Sequence, residues 1–252
     1  MEIINLDPLC NKFVEKKIHR NPNPLAPQHP FRCLVTAPSG GGKTNLVMNL
    51  ILKFLEFDKL YIFAKDLEEE KYKVLIGIME AVEKQYNEAN GTNEKIIVFS
   101  TDLNDVNIDE FDKDKQNLVI FDDMITESKQ NQKIIDDLFV RGRKTPNCSL
   151  LYLTQSFFNT PPLLKKQCNY IILMNVGSKR ELIEIAKTYA TDIDFKEFKE
   201  LYSDCVSKPY GFMVIDNKTT NRCMKYRSTF DGLYCPLWSE APGAKADNVN
   251  TN

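Results

Sequence analysis

The sequence predicts a three-layer α/β domain built around a mostly parallel sheet. Three observations carry that prediction. Apolar runs of strand length recur along the chain, and they are continuous instead of alternating, as strands covered on both faces require. Amphipathic helix-type stretches separate them. With 252 residues, 42% hydrophobic and 27% charged, the chain can bury a sizeable core.

The elements follow in order. Residues 20–30, RNPNPLAPQHP, carry four prolines and no apolar periodicity. Residues 1–30 are therefore expected to form an extended arm leading into a domain at 31–231. Strands are predicted at 31–37 (FRCLVTA), 59–65 (KLYIFAK), 95–100 (KIIVFS), 117–123 (NLVIFDD), 149–154 (SLLYLT) and 169–175 (NYIILMN). Helices are predicted over 44–56, through Leu46, Val47, Leu50, Ile51 and Leu55, and over 69–88, through Val74, Leu75, Ile78 and Val82. A third is predicted over 129–141, through Ile134, Ile135, Leu138 and Phe139. YGFMVID (210–216) and RCMKYRS (222–228) flank NKTTN and predict a C-terminal hairpin at a sheet edge. The tail, 232–252, is small and polar beyond Leu237 and is expected to be disordered.

Composition excludes several classes. The formal net charge of −2 gives no bulk cationic field, so nucleic-acid contacts must come from local patches. No apolar run is long enough to span a bilayer, and MEIINLDPLCNKF lacks the basic-then-apolar order of a signal peptide. Seven scattered cysteines without a CxxC pair indicate free thiols in a reducing compartment. His19 and His29 have no acidic or thiol cluster nearby, which argues against a metal cluster.

One stretch carries chemistry on its face. Ala37-Pro38-Ser39-Gly40-Gly41-Gly42-Lys43-Thr44 fits a phosphate-binding loop with alanine at the first glycine position. Glycines let consecutive amides point inward at phosphate oxygens, and a helix beginning there adds its positive end. Lys43 is expected at the β and γ phosphates of ATP, with Asn45 completing the cradle. The Thr44 hydroxyl is expected on Mg²⁺. A strand before and a helix after supply the context the motif needs.

The strand NLVIFDD ends in Asp122, expected to serve the metal, and Asp123, expected to polarise the attacking water. A turn cap is the plain alternative for Asp123, and Glu127 is the reserve base. SLLYLTQS ends a further strand at Gln155, where ligands of open α/β sheets bind, so its amide is a candidate sensor of the γ-phosphate or the attacking water. In DDLFVRGRK, Arg141 and Arg143 are candidate arginine fingers, while an ion pair with Asp137 is the alternative for Arg141.

Taken together, APSGGGKT, LVIFDDM, LFVRGRK and LLYLTQSFFNTPP resemble the genome-packaging ATPases of poxviruses, other large DNA viruses and virophages, within the FtsK–HerA superfamily of P-loop motor ATPases. The resemblance covers roughly residues 25–230; Lys144 departs from it, standing where relatives often have histidine. It implies a P-loop NTPase of the RecA-like (ASCE) type and a Mg-dependent ATPase. It also implies a homo-oligomeric ring, pentamer or hexamer, that threads double-stranded DNA into a preformed capsid with capsid vertex or portal proteins as partners. Its place would be the host cytoplasm, at the viral factory, with the virion as a further location. Basic candidates for DNA contact are Lys165-Lys166 and Lys179-Arg180, with solvated helix-start charges as the plain reading. Two other functions stay open at this point: a P-loop kinase of small molecules, and a nucleotide-switched binding module. NKTT (217–220) resembles a guanine-reading turn, but Thr220 stands where a carboxylate is needed.

Overall fold

The computed structural model describes residues 21–105, 107, 111–124, 128–142, 147–219, 221–230 and 232–233. The six expected parallel strands are β1 (Arg32–Thr36), β2 (Lys59–Ala64), β3 (Ile97–Ser100), β4 (Asn117–Asp122), β5 (Cys148–Thr154) and β6 (Tyr170–Leu173). They lie in the order β3-β2-β4-β5-β1-β6, every neighbouring pair parallel. Antiparallel β7 (Met213–Asp216), β8 (Tyr226–Ser228) and β9 (Gly232–Leu233) extend the β6 edge. Every residue of β4, β5 and β6 is buried, which is why these runs are apolar without alternation.

Successive side chains point to opposite faces, so the central strands feed two cores. Cys33, Val35, Leu60, Ile62, Leu151 and Leu153 face helices α1 (Lys43–Asn49) and α2 (Glu70–Asn90). Leu34, Phe63, Phe121, Leu150 and Tyr152 face α3 (Lys129–Arg141), α4 (Pro162–Gln167), α5 (Lys179–Tyr189) and α6 (Phe195–Cys205). The result is the three-layer P-loop arrangement. α1 runs on without a break through a π turn, Leu50–Phe54, closed by the Leu55 amide donating to the Leu50 carbonyl at 2.9 Å.

Three expectations need correction. In α2 the buried face is Tyr72, Leu75 and Met79, while Val74, Ile78 and Val82 are exposed; the sheet meets the stripe one residue later than the Val–Ile–Val spacing indicated. The second hairpin arm is half helical: α7 (Arg222–Lys225) precedes β8, because the Asn221 side chain accepts the Cys223 amide and starts a turn. The first arm begins only at Met213, not at Tyr210. Residues 21–30 form no strand or helix, and they are fastened to the domain. Asn21 Oδ1 accepts the Glu56 amide at 2.6 Å, and Asn23 Nδ2 donates to the Phe230 carbonyl at 2.7 Å. Among the described residues no helix is long and apolar enough to cross a membrane.

What positions the site is the register. Thr36 pairs with Thr154, and Asp122 pairs with Leu153, so the carboxyl ends of β1, β5 and β4 finish level. β5 lies between the other two, holding their ends two strand spacings apart, roughly 10 Å.

The edge hairpin is fastened by a buried ion pair, Arg227 to Asp216 at 3.1 Å. Removing one partner leaves an uncompensated buried charge, so Asp216→Ala should cost about 3–5 kcal/mol in urea unfolding. Lys73→Ala, which breaks the exposed pair with Glu68, should cost at most about 1 kcal/mol. Equal effects would mean that the buried pair contributes no more than a surface one.

Candidate active site

The loop leaving β1 is shaped by its glycines. Gly40 and Gly42 adopt φ of 71° and 93°, and a Cβ at Gly41 would lie 2.9 Å from the Pro38 carbonyl oxygen. The three glycines therefore let the backbone turn without adding side chains to it, and Gly42 caps α1 in the left-handed region. Lys43 is buried, with Nζ donating to the carbonyl oxygens of Ala37 at 2.7 Å and Pro38 at 3.1 Å. Burial lowers its pKa, while Asp122 and Asp123 oppose that shift.

A cavity of about 270 Å³ opens there, lined by Ser39, Gly40, Gly41, Gly42, Lys43, Thr44, Asp122, Asp123 and Gln155. Residues named separately along the chain are thus brought to one place. Pro38 contributes its carbonyl to Lys43, and Asn45 lines the adjoining cavity instead. Asp122 is buried at the end of β4, and its Oδ2 accepts the Tyr72 hydroxyl at 2.5 Å. Burial raises its pKa; the Tyr72 hydrogen bond and the Lys43 charge pull the other way. Asp123 adopts φ 56°, a left-handed conformation that aspartate tolerates, and Gln155 Nε2 donates to its Oδ2 at 2.8 Å.

Arg141 is not among the cavity's residues; its guanidinium pairs with Asp137 on its own helix at 2.8 Å. Arg143, Lys144 and Glu127 lie outside the described residues. Three contributors escaped sequence reading. Glu69 and Lys71 line the cavity from the start of α2, and Tyr72 holds Asp122. Their signal was the charged run DLEEEK immediately after β2, at the carboxyl end of a parallel strand. A fourth is Glu181 of α5. Its Oε1 accepts the Ser156 hydroxyl at 3.2 Å, the Phe157 amide, and the Phe158 amide at 3.4 Å, pinning the backbone that follows Gln155.

A model of the family described as Poxvirus A32 protein matches residues 17–216. Comparison with curated protein sequences gives no significant match. Among solved structures, the DNA-packaging ATPase B204 from Sulfolobus turreted icosahedral virus is 16% identical. It aligns over 80% of this chain and 98% of its own, with TM-score 0.52. The genome-packaging NTPase B204 from Sulfolobus turreted icosahedral virus 2, in complex with sulfate, is 15% identical over 79% of this chain and 95% of its own, with TM-score 0.51. Its complex with AMP aligns at 15% identity over 79% of this chain and 96% of its own, with TM-score 0.50. At these identities the likeness is one of fold.

The Asp122 shift has a stability consequence. A carboxyl whose folded pKa is raised binds a proton that the unfolded chain has already released. Stability then falls as pH climbs from the unfolded value through the folded one. Asp122→Asn removes the buried charge yet keeps an acceptor for the Tyr72 hydroxyl. The variant should unfold at the same or higher urea concentration than wild type at neutral pH, with the difference shrinking as pH falls through the carboxylate range. Lower stability at neutral pH would show that the Tyr72 and Lys43 contacts outweigh burial.

Proposed function

The chain belongs to the Poxvirus A32 protein family, and we propose that it is an ATP-driven translocase that packages viral double-stranded DNA into preformed capsids. The observation that carries the reading is the single cavity joining Lys43, Thr44, Asp122, Asp123 and Gln155, with Gln155 bonded directly to Asp123.

The residues fit ATP with Mg²⁺. Gly40, Gly41 and Gly42 bring no side chains of their own to the loop, and Lys43 exchanges its contacts to the Ala37 and Pro38 carbonyls for phosphate oxygens. Among the described residues no group of three or more His, Cys, Asp or Glu could hold a metal by itself. That suits Mg²⁺, which keeps waters and takes few protein ligands, here the Thr44 hydroxyl and the Asp122 carboxylate. When bound, Mg²⁺ neutralises charge developing between the β and γ phosphates. Asp123 accepts the proton of the attacking water. Gln155 holds that carboxylate in line and, being bonded to it, senses whether the γ-phosphate is there.

Transmission to DNA follows the chain onward from Gln155. Glu181 fixes residues 156–158 to α5, so a shift of Gln155 moves that helix's basic start, Lys179-Arg180. Arg180 stands 5.6 Å from the Phe158 ring centroid, and Lys165 stands 4.4 Å from that of Phe157. Lys165-Lys166 occupy the last turn of α4, not a helix start, where cations complement the helix dipole. In a ring, pentamer or hexamer, these segments face duplex DNA, and capsid vertex or portal proteins hold the ring at the viral factory. Arg143 is the finger for a neighbour's γ-phosphate; Arg141, engaged with Asp137, is the weaker choice.

Purified protein should hydrolyse ATP with Mg²⁺, faster with duplex DNA. Lys43→Ala should abolish turnover. Asp123→Asn should keep ATP binding and slow hydrolysis roughly a hundredfold or more. Gln155→Ala should add little to Asp123→Asn, since the two act through one hydrogen bond. Full activity in Asp123→Asn would remove Asp123 from the chemistry. Phosphorylation of a small molecule, with no response to DNA, would replace the translocase reading with a kinase.

Replacing Lys165, Lys166, Lys179 and Arg180 with alanine should weaken binding to all duplex sequences alike and flatten the salt dependence, by about one unit of slope per lost phosphate contact. Unchanged affinity and slope, with the basal ATPase retained, would rule out these four as the contacts.

A further inference from the structure

A second cavity, of about 250 Å³, adjoins the first across Gly42, which lines both. Its walls differ sharply from those of the phosphate cavity. Phe54, Phe212 and Phe230 form an aromatic floor, with ring centroids 5.3 Å apart for Phe54–Phe230 and 5.2 Å for Phe212–Phe230. Asn45 and Asn49 stand along one side, and among the described residues no carboxylate lines it. Tyr210 forms the rim. It is 69% exposed, and a Cβ at Gly42 would come 3.1 Å from its Cδ1.

The backbone around this cavity is strained. Among the described residues four non-glycine positions have positive φ: Asp123, Asn147, Tyr210 and Thr229. Asp123 lines the phosphate cavity, while Tyr210 (φ 60°) and Thr229 (φ 60°) line the second one. Left-handed conformations are costly for a bulky aromatic and for a β-branched residue, and such strain collects at ligand sites. Tyr210 is held there by its neighbour. A Cβ at Gly211 would fall 2.4 Å from the Cys205 carbonyl oxygen, and the Gly211 amide donates to the Lys208 carbonyl at 2.9 Å. An exposed ring thus stands beside the phosphate loop.

We propose that this cavity is the base-binding subsite of the nucleotide and that Tyr210 is the ring on which a purine stacks. The proposal rests on the nucleotide reading above. A triphosphate seated on the Gly40–Thr44 amides leaves its sugar and base beyond Gly42 and Asn45, which is where the aromatic cavity lies. Stacking of a base on an aromatic side chain gives roughly tenfold or more in affinity. It does not read the base's edge.

The test is calorimetric titration, with Mg²⁺, of ATP and of inorganic tripolyphosphate into wild type, Tyr210→Ala and Tyr210→Phe. Thermal melting checks the fold, which the exposed position of Tyr210 should leave intact. Expected results are a loss of roughly tenfold for ATP in Tyr210→Ala, unchanged tripolyphosphate binding, and near-normal ATP binding in Tyr210→Phe. Unchanged ATP affinity in Tyr210→Ala overturns the proposal. So does an equal loss for both ligands, which would mark Tyr210 as a prop for the loop. Wild-type protein that binds neither ligand overturns the nucleotide reading itself, and this proposal with it.

Discussion

The site depends on one constraint above others: three parallel strands must end level. The ladder continues just past the strand ends, where the Ala37 amide donates to the Thr154 carbonyl at 3.2 Å and the Asp123 amide to the Leu153 carbonyl at 3.3 Å. These bonds fix the entry to the glycine loop and the exit from the acidic strand against the same element, β5. A one-residue slip of β5 would turn Gln155 to the other face of the sheet and bury a polar amide. The two cores enforce the register, since β5 is buried on both faces along its whole length. Packing far from the chemistry thereby sets the spacing at it.

Within that frame the site is held by polar contacts that strain and burial would otherwise oppose. Asp122 is buried with the Tyr72 hydroxyl as its partner, and Lys43 lies close enough to affect it. Asp123 takes a left-handed backbone and is steadied by Gln155. Each carboxylate therefore has its own positioning residue from a different element: α2 for one, the end of β5 for the other. Such an arrangement lets adjacent carboxylates serve distinct purposes despite their sequence proximity.

Much of this was legible in the sequence because continuous apolar runs and glycine loops leave local signals. Lys43 and Thr44 could be named from their loop alone, and Asp122 and Gln155 from strand ends read together with that loop. Tyr72 and Glu69 could not, since which face of α2 meets the sheet is decided by packing; the more regular spacing of Val74, Ile78 and Val82 pointed to the solvent side. Glu181 was hidden for the same reason. Its Ser178-x-x-Glu181 pattern marks a helix start, with the Ser178 hydroxyl accepting the Glu181 amide at 3.0 Å. Its carboxylate, however, serves a loop far away in sequence. Tyr210 read as the first residue of a strand, and only the left-handed turn beside Gly211 separates it from β7.

The Lys43 contacts to Ala37 and Pro38 carry one more consequence. The loop is its own competitor: an ammonium group that commits two of its three donors to carbonyl oxygens at 2.7 and 3.1 Å must release them before it can turn all three on an anion. Measured affinity then equals the intrinsic affinity reduced by the fraction of molecules in which the lysine is free. Polyphosphates, which offer several oxygens at once, overcome this internal occupancy more readily than a single phosphate group. On the proposed function, the chain's own backbone would act as a threshold that favours polyanions over singly charged molecules.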